Sequence, residues 1–107
     1  MNDKLLLARL DHAKAAEAAA RTEVDKILLE LIELRARAYM KDNPEVKEFV
    51  MAMGSATFND GKNCLYDSDL PPGSEAVFDL INKYDEDYHI TGVPMRFTAT
   101  GPVVTDW

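Results

Sequence analysis

Glycine and proline are missing from the first 43 residues of this 107-residue chain, and all five residues of each type lie at or beyond Pro44. Because both residue types interrupt helices, their absence favours continuous helix up to that point. A single cysteine, Cys64, excludes an internal disulfide, and with only His12 and His89 beside it the usual zinc ligand sets are excluded. No apolar run approaches the roughly 18 residues that a membrane span requires.

Basic residues are scarce in the second part of the chain. Residues 1–41 carry 8 Lys/Arg and 7 Asp/Glu, a net charge of +1, whereas residues 42–107 carry 4 and 12, a net charge of −8. The total of −7 argues against direct binding to nucleic acid or to anionic membranes. The sequence opens without an apolar leader, which favours a cytoplasmic location. The net charge becomes negative and the first helix-breaking residue, Pro44, appears at nearly the same point of the chain. We therefore predict two units, 1–41 and 42–107.

The first unit has the apolar spacing of a coiled-coil helix. Steps of four and three residues select ten positions, and only Glu17 among them is not apolar. A straight helix over this unit is roughly 57 Å long, too long for a compact domain with a radius of gyration of about 13 Å. We therefore expect self-association as a dimer or larger oligomer through the nine apolar positions: Leu6, Leu10, Ala13, Ala20, Val24, Ile27, Leu31, Leu34 and Ala38.

A helical hairpin is the alternative for this unit. Thr22 and Asp25 have the spacing of a capping box, which starts a helix and would place a break near Thr22. Because no glycine or proline supports a turn there, the hairpin is the less favoured interpretation.

The second unit is predicted to be a small α+β domain. Its turn and capping signals indicate a three- or four-stranded antiparallel sheet with one or two short helices. An apolar cluster of Val103, Val104 and Trp107 is expected to pack onto it. The predicted elements are a helix Pro44–Met53, strands Ala56–Phe58 and Asn63–Tyr66 around Asp60-Gly61, a helix from Ser74 to Tyr84, and strands His89–Val93 and Met95–Thr100.

No motif of catalysis or metal binding emerges. Five residues with side-chain oxygens do not follow the spacing of a calcium loop: Asp60, Asn63, Asp67, Asp69 and Glu75. The glycines form no phosphate-binding loop, and no nucleophile lies beside a base. His89 near its acidic neighbours and Cys64 in a predicted strand are expected to be structural, with Cys64 buried. We therefore predict no catalytic residue, metal or cofactor, and do not expect an enzyme.

An acidic and aromatic segment is the best candidate binding surface. Carboxylates at this density attract a basic protein surface and can imitate a line of phosphates, and tyrosine is enriched at interfaces. The alternative is an acidic surface that serves solubility alone. The predicted partner-binding residues are Asp79, Tyr84, Asp85, Glu86, Asp87 and Tyr88.

These observations favour a non-enzymatic, oligomeric protein-interaction module that presents an acidic face. In one form it is an inhibitor that blocks a basic nucleic-acid-binding protein or a defence complex, by analogy of size and charge with small acidic virus-encoded inhibitors. One alternative is a structural adaptor that docks through its long helix onto another chain. A second is a small-ligand binder whose pockets form between subunits and are lined by Tyr66, Tyr84, Tyr88, Arg96 and Trp107.

Overall fold

The chain folds into two helices, three strands, a third helix and a last strand. The structure is a computed structural model that describes residues 3–15 and 21–105, without the side chains of residues 13–15 and 21–22. The mixed α+β class is confirmed, with an antiparallel sheet. The elements are α1 (Asp3–Ala15), α2 (Arg21–Asp42), β1 (Glu48–Ala52), β2 (Ser55–Asn59), β3 (Cys64–Leu65), α3 (Glu75–Tyr88) and β4 (Met95–Phe97), with 3-10 turns at Asp67–Asp69 and Ile90–Gly92.

The single long N-terminal helix is wrong, because α1 and α2 are separate helices that pack as an antiparallel pair. Arg9 of α1 contacts Glu23 near the start of α2 at 2.8 Å, and Asp3 contacts Arg35 further along α2 at 2.9 Å. The longest dimension of the molecule is 41 Å, shorter than an unbroken helix over residues 1–41. Helix α2 starts at Arg21, so Thr22 lies inside α2 rather than capping it.

The predicted oligomer seam is largely buried within its own chain. Pairing α1 with α2 within one chain covers the apolar stripe without the loss of translational and rotational freedom that association of separate chains costs. The prediction of self-association depends on one helix over residues 1–41 that is too long for its own domain. Because α1 and α2 are separate helices, that argument for self-association through this seam no longer holds. Leu6, Leu10, Val24, Ile27 and Leu31 are at most 2% exposed, Leu34 is half-buried, Ala38 is exposed, and the side chains of Ala13 and Ala20 lie outside the described residues.

The sheet has the strand order β3-β2-β1-β4, and each pair is antiparallel. In the central strand β1, Phe49 lies opposite Phe58 of β2 on one side and Phe97 of β4 on the other. These three rings are at most 2% exposed and form the inner face of the sheet. Tyr39 of α2 and Phe78 of α3 reach this face, with ring centroids 5.0 Å and 5.7 Å from that of Phe58. One core therefore lies between the sheet and the helices.

Two predicted elements of the second unit are confirmed. The Asp60-Gly61 turn joins β2 to β3, with Gly61 at a φ of +96° that a side chain would strain. The Asp60 carboxylate accepts hydrogen bonds from the backbone N–H groups of Asn63 and Lys62, both at 2.9 Å, and these bonds lower its pKa. The helix after Ser74 is α3, which continues one turn beyond the predicted end to Tyr88.

The predicted helix Pro44–Met53 is wrong, since most of this segment is β1 and its turn. Asn43 does not start a helix but ends α2, where its backbone N–H and its Nδ2 both donate to the Tyr39 carbonyl at 3.0 Å and 2.9 Å. In β1 the backbone gains hydrogen-bond ladders on both sides. Met53 and Gly54 then form a two-residue turn with φ of 54° and 86°, which leaves Met53 96% exposed.

Three other expectations differ from the structure or fall outside it. Residues 90–92 of the predicted strand His89–Val93 form a 3-10 turn, and the next strand ends at Phe97. Cys64 is exposed rather than buried. Trp107 lies outside the described residues. Among the described helices, none combines the length and apolar character needed to cross a membrane.

Arg35 joins all three helices. Its Nε and Nη2 donate to the two carboxylate oxygens of Asp3 at 2.9 Å and 3.1 Å, and its Nη1 donates to the Ala76 carbonyl at 3.0 Å. The bond from Arg35 lowers the pKa of Asp3 and raises that of the guanidinium. This contact fixes the start of α1 against α2 and against the first turn of α3.

Asp3→Asn is expected to lower the free energy of unfolding at pH 7 by less than about 1 kcal/mol, because the Asp3 side chain is 40% exposed and solvent screens the pair. The pKa of Asp3 is depressed in the folded state, so its contribution is complete above the unfolded value of about 3.9 and is lost as pH falls through the folded value. Urea unfolding of both proteins between neutral and acidic pH should show the difference shrinking. Asp11→Asn on the same helix is the control; an equal effect there would contradict this role of Arg35.

Candidate functional site

The six predicted partner-binding residues do not form one surface, because α3 distributes them around its axis. Tyr84 is only 5% exposed and belongs to the core with Val77, Leu80 and Ile81. Its ring lies 6.4 Å from that of Tyr88, which is half-buried. The remaining four are acidic, and of these Asp79, Glu86 and Asp87 are exposed.

Asp85 has a structural role that charge alone did not reveal. Its carboxylate accepts hydrogen bonds from the backbone N–H and the hydroxyl of Thr91, each at 2.9 Å. Thr91 is 4% exposed, and its carbonyl accepts a hydrogen bond from Gly54 at 3.1 Å. Asp85 therefore holds the turn after α3 against the turn between β1 and β2.

His89 ends α3 rather than acting on the neighbouring acids. Its backbone adopts the left-handed conformation with a φ of 52°, and its N–H donates to the Asp85 carbonyl at 2.7 Å. This is the geometry of a helix C-terminus, in which one residue reverses the chain. The His89 side chain is exposed and has no hydrogen bond or ion pair within the described part of the chain.

An acidic groove lies between the exposed face of α3, the 3-10 turn Asp67–Asp69 and the start of β2. Its volume is about 470 Å³. Residues 75, 79 and 82 follow the spacing of one helix face, opposite the face that carries Val77, Ile81 and Tyr84 into the core. The acidic groove is lined by Ala56, Asp67, Ser74, Glu75, Phe78, Asp79 and Asn82.

The acidic groove combines an aromatic residue with carboxylates. Phe78 is half-buried, and its ring packs edge-on against Phe58 at a centroid distance of 5.7 Å, so the core fixes its position. Of the three lining carboxylates, only that of Glu75 accepts a hydrogen bond, from the Gly73 N–H at 3.2 Å. Those of Asp67 and Asp79 have no hydrogen bond or ion pair within residues 3–15 and 21–105. Among the residues that the structure describes, no basic side chain lines the groove.

Tyr39 lies close enough to the acidic groove for the charge of Glu75 to affect the pKa of its hydroxyl. Burial raises the pKa of Tyr39, and the carboxylates of Glu45 and Glu75 raise it further, against a hydrogen bond with Ser74 that lowers it. The Tyr39 hydroxyl is therefore neutral and donates to the Pro71 carbonyl. Lys83 is the only basic residue of α3, and its Nζ lies 5.3 Å from the centroid of the Tyr84 ring.

Sequence reasoning placed one of the groove residues, Asp79, in the binding set. For Asp67 and Glu75 the sequence analysis weighs only a calcium-binding role. It does not identify Phe78 or Asn82 as binding residues. The signal was present, because residues 75, 79, 82 and 86 share helical spacing opposite the apolar face of the predicted helix. Periodicity within one helix cannot show that Asp67, which belongs to another segment, lies beside this face of α3.

Of the residues proposed for the small-ligand alternative, Trp107 lies outside the described part of the chain, and Tyr66, Tyr84 and Arg96 are not brought together within one chain. Tyr84 is in the core, and Tyr66, 76% exposed, follows the edge strand β3. Arg96 lies in β4, at the opposite edge of the sheet. The adaptor alternative loses the long helix through which it was to dock. Among the described residues, no group of three His, Cys, Asp or Glu side chains is placed to hold a metal ion.

The sequence matches no protein-family model, and no curated protein or solved structure matches it significantly. The functional argument therefore depends on the geometry and charge of the acidic groove.

Thr91→Val is expected to lower the free energy of unfolding by about 1–2 kcal/mol, because it removes the hydroxyl that donates to the half-buried Asp85 carboxylate at nearly constant volume. This corresponds to a fall in melting temperature of roughly 4–12 °C for a domain of this size. Thermal and urea unfolding measure the effect. Thr100→Val, at an exposed position, is the matched control, and equal stability of the two variants would show that the Asp85–Thr91 contact contributes nothing.

Proposed function

We propose that this chain is a non-enzymatic protein-interaction module whose acidic groove binds a basic segment of a partner protein. The proposal depends on the carboxylates of Asp67 and Asp79, which have no hydrogen-bond or ion-pair partner in the described part of the chain and lie beside the core-anchored ring of Phe78. Carboxylates without intramolecular partners retain their full capacity to accept hydrogen bonds from a ligand.

A lysine or arginine side chain fits the chemistry of the acidic groove. Its aliphatic stem can lie on Phe78 and Ala56, and its charged head can reach the carboxylates of Asp67 and Asp79. A cation over the Phe78 ring adds a favourable electrostatic contribution. The Asn82 amide supplies a further acceptor at the same face.

More specifically, we propose that the partner is a basic protein of the class that binds nucleic acid. The acidic spacing of α3 continues from Glu75 and Asp79 to Glu86, so a row of negative charge extends beyond the groove. Such a row competes with phosphates for a basic surface and speeds encounter at low salt, since screening at 0.15 M limits its reach to about 8 Å. Blocking a nucleic-acid-binding protein is the activity that this chemistry would support.

Charge removal inside the acidic groove is expected to weaken binding of a fluorescein-labelled oligo-arginine peptide by about three- to tenfold, since each exposed ion pair contributes up to about 1 kcal/mol. The groove variant is Asp67→Asn with Asp79→Asn, which keeps side-chain volume nearly constant. Fluorescence anisotropy at low and high salt measures the affinity. The loss should shrink at high salt because screening weakens the pairs in the original protein.

The matched control removes the same charge elsewhere. Asp11→Asn with Asp42→Asn changes two exposed acids in α1 and α2. If both double variants bind the peptide equally, net charge alone attracts it and the acidic face serves solubility. Phe78→Leu, which keeps an apolar side chain in the groove but removes the ring, tests the aromatic contribution separately.

A further inference from the structure

A second groove, apolar rather than acidic, lies between α2, β4 and the last described residues of the chain, 103–105. Its volume is about 230 Å³, below the roughly 300–1,000 Å³ of pockets that enclose small molecules. The size therefore suits one large side chain. The apolar groove is lined by Lys26, Leu29, Glu30 and Glu33 of α2, and by Val93, Met95, Val103 and Thr105.

The register beside β4 determines which residues face the apolar groove. Val104 and Arg96 exchange two backbone hydrogen bonds, of 2.9 Å and 2.8 Å, in an antiparallel bridge. Side chains directly opposite one another share a face of the sheet, and faces alternate along each strand. Val103 and Thr105 therefore lie on the side of Met95, which is buried towards the helices, while Val104 lies on the side of the exposed Arg96.

The next residue in this alternation is Trp107. Thr105 already lines the apolar groove, and only Asp106 stands between it and Trp107. Two residues of extended chain span about 7 Å, so the indole is within reach of the groove. If the chain stays extended beyond Thr105, the alternation counted from the bridge at Val104 would bring position 107 opposite Val93, which also lines the groove.

We propose that the apolar groove is a binding site for an indole and that the chain's own Trp107 occupies it. In this position the ring packs on Leu29, Val93 and Met95, which are apolar residues of the groove lining. The carboxylates of Glu30 and Glu33 line the same groove and supply acceptors for the indole N–H, which requires a partner when the ring is buried.

Burial of the side chain, rather than further strand pairing, holds Trp107 in place. The next hydrogen-bonded pair after Val104 and Arg96 would join Asp106 to Pro94, and proline has no N–H to donate. The ladder therefore cannot continue in full past Thr105. Changes to the lining of the groove should accordingly release the indole without disturbing the sheet.

Tryptophan fluorescence tests the proposal directly, because Trp107 is the only tryptophan in the chain. The intact protein should emit at shorter wavelength than N-acetyltryptophanamide and show a several-fold lower acrylamide quenching constant. In NMR spectra, the indole protons should show nuclear Overhauser effects to methyl groups of Leu29, Val93, Met95 or Val103. Emission and quenching like those of the free amide, without these contacts, would overturn the proposal.

Leu29→Gln is expected to shift the emission to longer wavelength and to raise the quenching constant several-fold. Leu5→Gln, at a 51% exposed position of α1, is the matched control and should change neither quantity. Circular dichroism confirms that each variant is folded. Unchanged protection in folded Leu29→Gln would show that the indole lies elsewhere, and protection that disappears on dilution would assign the groove to a second copy of the chain instead.

Discussion

The ring of Phe58 is the contact on which the arrangement of layers depends. It lies within 5.7 Å of the rings of Tyr39, Phe49 and Phe78, so it touches α2, β1 and α3 together. A sheet with one apolar face is stable only if that face is covered, and here two helices share the task. The positions of α2 and α3 relative to the strands follow from this requirement.

The same contact connects the core to the acidic groove. One edge of Phe78 packs on Phe58, while the rest of the residue lines the groove between Asp67 and Asp79. Helix α3 thus has two different faces, with Val77 and Tyr84 in the core and the carboxylates of Glu75 and Asp79 outside. A ring fixed by the core loses little freedom when a ligand covers it, which favours binding at this position.

Some charged residues of this chain join separate elements of the fold, while others stay exposed on the surface. The density of charge along the sequence does not distinguish the two groups. Arg35 and Asp85 both make multiple hydrogen bonds that join separate elements. Neighbouring acids on α3, such as Asp79 and Glu86, remain exposed. A short acidic run in the sequence therefore overstates the binding surface, because part of it holds the fold together.

Local sequence by itself determined the α+β class, the Asp60-Gly61 turn and helix α3, since each depends on capping, turn chemistry or periodicity within a few residues. Tertiary structure decided the rest. The spacing of the apolar seam in residues 6–38, with no glycine or proline, favours one long helix, and only burial within one chain selects the antiparallel pair of α1 and α2. The segment Pro44–Met53 carries helix signals, yet pairing on both edges makes it the central strand. Asp67 joins Asp79 across the acidic groove only because the core brings their elements together. These choices depend on contacts between residues far apart in the sequence, which no local pattern contains.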